Sequence, residues 1–354
     1  MFLAFKELNQ SKFKYALIGI IMTAILFLVF FINGLASGLS TADSSSLQNL
    51  PADYVVMDDD AEGNIMKSEI EKGEIKNIED EIDGDHTSPL AIQMSSIEKE
   101  EEKSDVVFFA LNTEEVSGPK VTEGLSINEL RGNEVIIDEG IKNQGYRLGD
   151  SFTDTNLEEE FVIAGFTEKQ TYSHLPVVHT SYDYWEEQEY FSQDVMNAYL
   201  YEGEKQDVSG FNTFTIDETV SSMPGYSETQ GSLLMMVSFL FFIAAFVSTV
   251  FFYVLTIQKT HQFGILKAIG ASTGYIAKSI VLQVILITCI SFTFSLAGVY
   301  FMTQILPQDM PFELSVEIIS LTGVIFLALN LLGSLVSIIK VSKADPLEAI
   351  GRVE

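Results

Sequence analysis

Residues 15–35, YALIGIIMTAILFLVFFINGL, run without a single charged side chain. A helix needs about 20 apolar residues to cross the hydrocarbon core of a bilayer, so this stretch reads as a membrane span. Lys6, Lys12 and Lys14 precede it and Gly34, Ala36 and Ser37 follow, which is also the outline of a cleavable leader. A leader's apolar core is only about 7–15 residues long. The run outlasts that, and the helix is read as retained.

Three further stretches have the same character, at 233–257, 280–306 and 316–339. Lysines and arginines mark the side that stays in the cytoplasm. Lys6, Lys12 and Lys14 flank the first span, Lys259, Lys267 and Lys278 lie between the second and third, and Lys340, Lys343 and Arg352 follow the fourth. Both termini and the loop around 258–279 are therefore expected inside. The spans hold almost no ionisable residue, Glu317 and Lys278 standing at span ends, so no charged path through the membrane is expected.

Charge confirms the segregation. Residues 40–231 carry 43 Asp and Glu against 11 Lys and Arg, net −32, whereas the rest of the chain is net +2. That division gives segments at 1–14 (cytoplasmic), 15–39 (span), 40–231 (extracytoplasmic), 232–257 (span), 258–275 (cytoplasmic helix), 276–306 (span), 307–315 (external turn), 316–339 (span) and 340–354 (cytoplasmic helix). The expected fold is a membrane α-helical protein: four transmembrane helices, with a large α+β domain inserted between the first two. So acidic a chain repels phosphates, which excludes nucleic acid as a partner. The single cysteine, Cys289, lies in a span, so the outer block has no disulfide and must hold itself by its own core. An exported domain without disulfides points towards a Gram-positive bacterium.

Within the outer block, strands are expected at 53–57, 134–137, 160–164, 175–178 and 197–201, and helices at 66–82 and 182–191. The runs Asp58-Asp59-Asp60 and Glu98-Lys99-Glu100-Glu101-Glu102 lack the spacing of a calcium loop and read as solvated acidic faces, with no metal assigned.

On the inner side, Gln258–Gly270 alternates polar and apolar residues, with Phe263, Leu266, Ile269 and Gly270 along one expected packing edge and Gly270 as its stop. Ser272 or Thr273 then caps the third span. By pattern alone this short helix binds lipid headgroups or docks a cytoplasmic partner. At the end of the chain, Asp345-Pro346-Leu347-Glu348 has the N-cap, first-turn proline and box-closing glutamate of another short helix.

LKAIGA at 266–271 and DPLEA at 345–349 resemble the signature segments of FtsX/MacB-type ABC permeases, and the layout of one helix, an outer domain and three helices is similar throughout. More narrowly, FLAFKE at 2–7, FFYVLTIQK at 251–259 and MPF at 310–312 resemble the HrtB-type permeases of haem efflux pumps. The resemblance implies a homodimer in membrane lipid, paired with two copies of an HrtA-like ATPase that holds ATP and magnesium. This chain would be no enzyme and keep no permanent cofactor; haem would be its transported substrate. Consistent with that division, no G-x-x-x-x-G-K-[ST] phosphate loop occurs in the sequence. Gln262, Phe263, Leu266, Lys267 and Gly270 would couple to the ATPase, with Lys267 in contact.

No C-x-x-C-H motif is present, which excludes covalent haem. Reversible binding needs an axial Tyr or His and an apolar surface. On the HrtB-type pattern Tyr226 and Glu228, with Met223, stand where the second span begins, and Tyr172 and His174 lie in the outer domain. By residue type alone Tyr226 also fits an ordinary interfacial aromatic belt, and His174 and His179 fit structural histidines beside a strand. His86 and His261 are poorer candidates. The rival reading is another FtsX/MacB-type role, such as lipopeptide or antibiotic export, or signal transmission without transport.

Overall fold

In lipid a backbone finds no water, and a helix is the one local structure that satisfies its polar groups internally. The computed structural model describes residues 6–7, 9–83, 85–99, 102–112, 118–156, 159–187, 195–307 and 310–342. In chain order its elements are α1 (Lys12–Gln48), β1 (Tyr54–Asp58), β2 (Ile70–Glu71), α2 (Lys72–Glu81), β3 (Asp85–Lys99), β4 (Glu102–Leu111), β5 (Val121–Gly124), β6 (Glu134–Asp138), β7 (Ser151–Asp154) and β8 (Glu160–Thr167). There follow β9 (Thr171–Tyr172), β10 (Leu175–Ser181), α3 (Tyr182–Glu187), β11 (Val195–Met196), β12 (Ala198–Glu202), β13 (Phe211–Thr215), α4 (Ile216–Ser221), α5 (Tyr226–Gln258), α6 (Thr260–Ala268), α7 (Thr273–Thr303) and α8 (Val316–Ser342). Among the described residues, α1, α5, α7 and α8 are the four helices long and apolar enough to cross a membrane. Contacts divide the chain into a helical unit, up to Gly38 and from Gly231 onward, and a sheet unit, Leu39–Gln230.

The helical unit packs along a stripe of α1. Tyr15, Ile18, Met22, Leu26 and Phe30 recur at helical spacing and meet Ala244, Phe252 and Leu255 of α5, Val284, Ile287 and Val299 of α7, and Phe326 of α8. Small residues let the chain close in. A Cβ at Gly34 would lie 2.3 Å from the Phe312 ring and one at Gly333 would lie 2.2 Å from the Thr249 hydroxyl. The loop that carries Met310, Pro311 and Phe312 is thereby seated on α1, and Glu313 N–H donates to the Gly34 carbonyl at 2.9 Å. The interior is not wholly apolar: Ser248, Gln283, Thr288, Ser291, Ser295, Asn330 and Ser337 are all buried among the helices. Of these, Ser291 bonds across helices, its hydroxyl donating to the Gly19 carbonyl of α1 at 3.1 Å, and Gln283 accepts from the Tyr15 hydroxyl of α1.

In the sheet unit, β3, β4, β10, β6, β8 and β7 pair in a ring that returns to β3. Closure removes the open edges that a sheet otherwise presents. Its filling includes Phe108, Phe152, Phe161, Phe166 and Trp185. A second branch, β12, β1 and β13, continues antiparallel from β3.

Strands stand at all five expected places, each slightly displaced or extended. The expected helix at 66–82 is corrected. Ser68 is extended, Ile70 is buried in β2 opposite Met196, and α2 starts only at Lys72, where the Glu71 and Glu74 side chains form a capping box. Residues Ile65–Lys67 make a separate 3-10 turn capped by Asn64. Of the helix expected at 182–191, α3 covers the first six residues and the remainder lies outside the described residues. The long β3–β4 hairpin was not expected at all; Glu98 and Lys99 of the acidic run belong to it, as does His86, whereas 100–101 lie outside the described residues. The C-terminal segment at 345–352 and the opening 2–5 also lie outside them.

Under the sheet sits a buried polar group. His179 of β10 shares a hydrogen bond of 3.2 Å with Gln170 Oε1, its ring meets Phe109 edge-on, and its Nδ1 finds no partner among the described residues. Gln170 N–H in turn donates to Asp138 at 2.7 Å. Burial pushes the His179 imidazole down from 6.5 to about 3. An unfolded chain therefore binds a proton below pH 6.5 that the folded one refuses until about 3, and stability is lost across that window as pH falls. The loss is on the order of 1.4 kcal/mol per pH unit. The buried Asp138 carboxyl is raised, chiefly by burial, so the folded chain takes up that proton before the unfolded one and opposes this loss as pH falls towards the ordinary carboxylate value. Urea unfolding followed by the lone tryptophan, Trp185, should show wild type losing stability relative to His179→Phe between pH 6.5 and 4, with a flat difference above pH 7.

Candidate functional site

The last two turns of α1 are gripped by one hairpin of the sheet unit. Thr171 N–H donates to Ser45 Oγ at 3.0 Å, its hydroxyl donates to the Thr41 carbonyl at 3.0 Å, and Ser46 Oγ donates to the Thr171 carbonyl at 2.9 Å. The turn between β9 and β10 is Ser173-His174, both left-handed at φ 48° and 66°. Hairpin turns of this kind favour Asn-Gly, because other residues are strained there. The strain is offset by two bonds: Ser173 N–H donates to the Asp43 carbonyl and His174 N–H to the Ala42 carbonyl, both at 2.9 Å. The His174 Nε2 also lies 3.3 Å from Asp43 Oδ1.

Tyr226 opens α5 just after Gly225, whose φ of +78° turns the chain into the helix. Its hydroxyl shares a 2.6 Å bond with Ser40 Oγ of α1. Its ring packs against the cluster that contains Met223 and Tyr172, both buried. Tyr226 thus packs on the cluster to which Met223 and Tyr172 belong, Glu228 is exposed in the first turn of α5, and His174 faces Asp43. Tyr172 is 1% exposed and burial pushes its phenol up to about 12, so it remains a neutral phenol. Ser40, Asp43, Ser45 and Thr171 were not singled out in the sequence; small polar residues at a helix end carry no signal until their partners are known.

In the helical unit, Lys259 alone separates α5 from α6. Phe263 is buried against Ile276 and Ile280, and Leu266 is half-buried beside them. The helix ends as the sequence implies: Gly270 is left-handed at φ +101°, its N–H donates to the Lys267 carbonyl at 3.0 Å, and Ala271 N–H donates to Leu266 at 2.9 Å. These are the paired bonds of a Schellman stop. Ser272 then caps α7 by accepting from Tyr275 N–H. Gln262 and Gly270 are exposed and Lys267 is partly so. One expectation is corrected: Ile269 is no packing residue but is 76% exposed, standing one residue beyond the end of α6 at Ala268. With Ile265, 43% exposed, it leaves an apolar knob on the end of α6.

Residues 234–346 match the family described as FtsX-like permease, C-terminal. Over its full length the chain is 31% identical to the hemin transport system permease protein HrtB of Staphylococcus haemolyticus, with 100% of each covered. The chain belongs to the HrtB family of permeases. The HrtB of Staphylococcus epidermidis is likewise 31% identical over 99% of each chain. Among solved structures, the periplasmic region of MacB from Actinobacillus actinomycetemcomitans is similar at 11% identity and a TM-score of 0.37, covering 51% of this chain and 97% of its own. As an HrtB-family chain it is a multi-pass membrane permease of the ABC-transporter type.

For this HrtB-family permease the strained turn offers a direct check. The Ser173→Asn, His174→Gly double variant removes two strained residues at a cost of the His174–Asp43 pair, which is half exposed and so worth little. Relief of about 1 kcal/mol or more is expected, seen as a higher urea midpoint of Trp185 fluorescence. A lower midpoint would mean that the His174–Asp43 contact outweighs the backbone strain.

Proposed function

We propose that this chain is the membrane half of a haem efflux pump: a homodimer, joined by two copies of a separate HrtA-like ATPase, that takes haem from the membrane and expels it outward. The observation that carries the reading is the full-length match to relatives named for hemin transport. ATP and magnesium reside on the ATPase. Both termini, with 1–14, 258–275 and 340–354, are cytoplasmic, the block at 40–231 and the turn at 307–315 are outside, and the host is a Gram-positive bacterium.

Haem meets the outer unit at Tyr226 and Glu228. The phenol is the axial group and the exposed carboxylate its polar neighbour, while Met223 and Tyr172 back the tyrosine from the core. To ligate iron, Tyr226 must exchange its bond to Ser40 for the metal, which links haem binding to the grip between α5 and α1. His174, committed to Asp43, serves the hairpin. On the inner side, α6 is the element that meets the ATPase. Its exposed Gln262, Lys267 and Gly270, with the Ile265 and Ile269 knob, form the contact, and Phe263 and Leu266 transmit force to α7 through their packing.

Haemin titrated into the detergent-solubilised complex should give a saturable Soret change, weakened about tenfold or more in Tyr226→Phe; a loss of one good ligand contact is on the order of 1.4 kcal/mol. No saturable binding in wild type would defeat the haem reading. Separately, Ile269→Asp should abolish copurification of the ATPase while the permease itself stays folded, since Ile269 touches little of its own chain. Full recovery of the ATPase with that variant would remove α6 as the contact.

A further inference from the structure

The helical unit hides an ion pair that the sequence did not reveal. Glu7, in the segment before α1, is 7% exposed. Its carboxylate accepts from Gln283 Nε2 of α7 at 2.7 Å and from Lys259 Nζ at 3.3 Å. Lys259 also lies 3.4 Å from the Tyr15 hydroxyl and 5.4 Å above the Tyr15 ring. Tyr15 completes the circuit by donating to Gln283 Oε1 at 2.5 Å. Next to it, Lys14 Nζ donates to Gln258 Oε1, tying α1 to the last residue of α5.

The position of Lys259 gives the cluster its meaning. It is the one residue between α5 and α6, with φ −104° and ψ 6°, and its carbonyl accepts the Phe263 N–H that begins α6. A rod that breaks at a single residue needs something to fix the angle of the break. Here the side chain of that residue is held from three directions: by the segment before α1, by α1 and, through Gln283, by α7. A buried ion pair adds little net stability compared with a well-packed apolar pair, and its best-attested use is to specify one arrangement over others.

We propose that Glu7 is a positioning residue: through Lys259 it sets the direction of α6 and so holds the coupling helix where ATP-driven movement can reach the bundle. The functional half of this statement rests on the reading of α6 as the ATPase contact. The positional half does not. Glu7 contacts neither haem nor nucleotide and acts only through the lysine at the break.

The test uses the full permease with its ATPase in nanodiscs. Spin labels at His261→Cys on α6 and Ile290→Cys on α7, both exposed, are introduced with Cys289→Ser so that no other thiol reacts. With the labelled chain diluted into unlabelled Cys289→Ser permease, so that most dimers carry one labelled protomer, the parent should give one narrow distance. Glu7→Gln and Lys259→Met should broaden it, Tyr15→Phe should do so less, and the swap Glu7→Lys with Lys259→Glu should narrow it again. Haem-stimulated ATP turnover should fall roughly fivefold or more in Glu7→Gln, the scale of a modest coupling free energy, with basal turnover of the free ATPase untouched. An unchanged narrow distance in both Glu7→Gln and Lys259→Met would overturn the proposal, whatever happens to turnover. A broadened distance with full haem stimulation would uphold the positioning role and overturn the coupling role of α6. The graded Tyr15→Phe variant covers the case in which Glu7→Gln does not fold.

Discussion

Everything in this molecule follows from the length of α1 and α5. A 37-residue helix is about 55 Å long and a 33-residue one about 50 Å, whereas the bilayer core is about 30 Å thick. Each helix therefore has several turns to spare. Those turns carry the chemistry: Ser40, Asp43, Ser45 and Ser46 at the far end of α1, Tyr226 and Glu228 at the start of α5, and the break at Lys259 where α5 ends. The apolar middles need only pack, and they do so through Tyr15, Ile18, Met22, Leu26 and Phe30.

At both ends, polar groups that would be costly alone are made safe by pairing. An unpaired carboxylate beside Gln283 in the bundle would be strongly destabilising, yet Glu7 has an ammonium and an amide. Two left-handed residues in the β9–β10 turn would be strained on a free hairpin, yet their N–H groups are spent on α1 carbonyls. In each case a local cost is tolerated because it fixes one geometry. Stability and specificity thus pull in opposite directions at these places, and the sequence kept the second.

The spans were legible because hydrophobic length is a local property, and the α6 stop was legible because Gly270 and Ser272 act on their own neighbours. Ile269 was misplaced for a related reason: apolar spacing assumes that the helix continues, and the helix ends one residue earlier. The sheet unit was only half visible. Its five expected strands are short apolar runs, but β3 joins β12, β7 and β4, partners up to about a hundred residues away, and its mixed sequence with Pro89 and paired serines shows no single alternation. The Met66–Ile82 error has the same root, since Ile70 faces Met196 across a two-residue bridge that no local pattern records. Glu7 was invisible because a lone glutamate among lysines looks like surface until Lys259 and Gln283 are brought to it.

Charge adds a direction to the proposed cycle. The block at 40–231 is net −32 and the rest of the chain net +2. Haem carries two propionates, so once released outside it faces a field of its own sign, and at physiological ionic strength that repulsion extends about 8 Å from each carboxylate. In the proposed cycle, return of released haem from the outer water is then disfavoured. The sheet unit carries that acidity over a core of strands paired in a ring around Phe108, Phe161 and Trp185. One strand of that ring, β10, pairs with β9 in the hairpin whose Thr171 holds the end of α1, so the closed core and the helix end are fixed together.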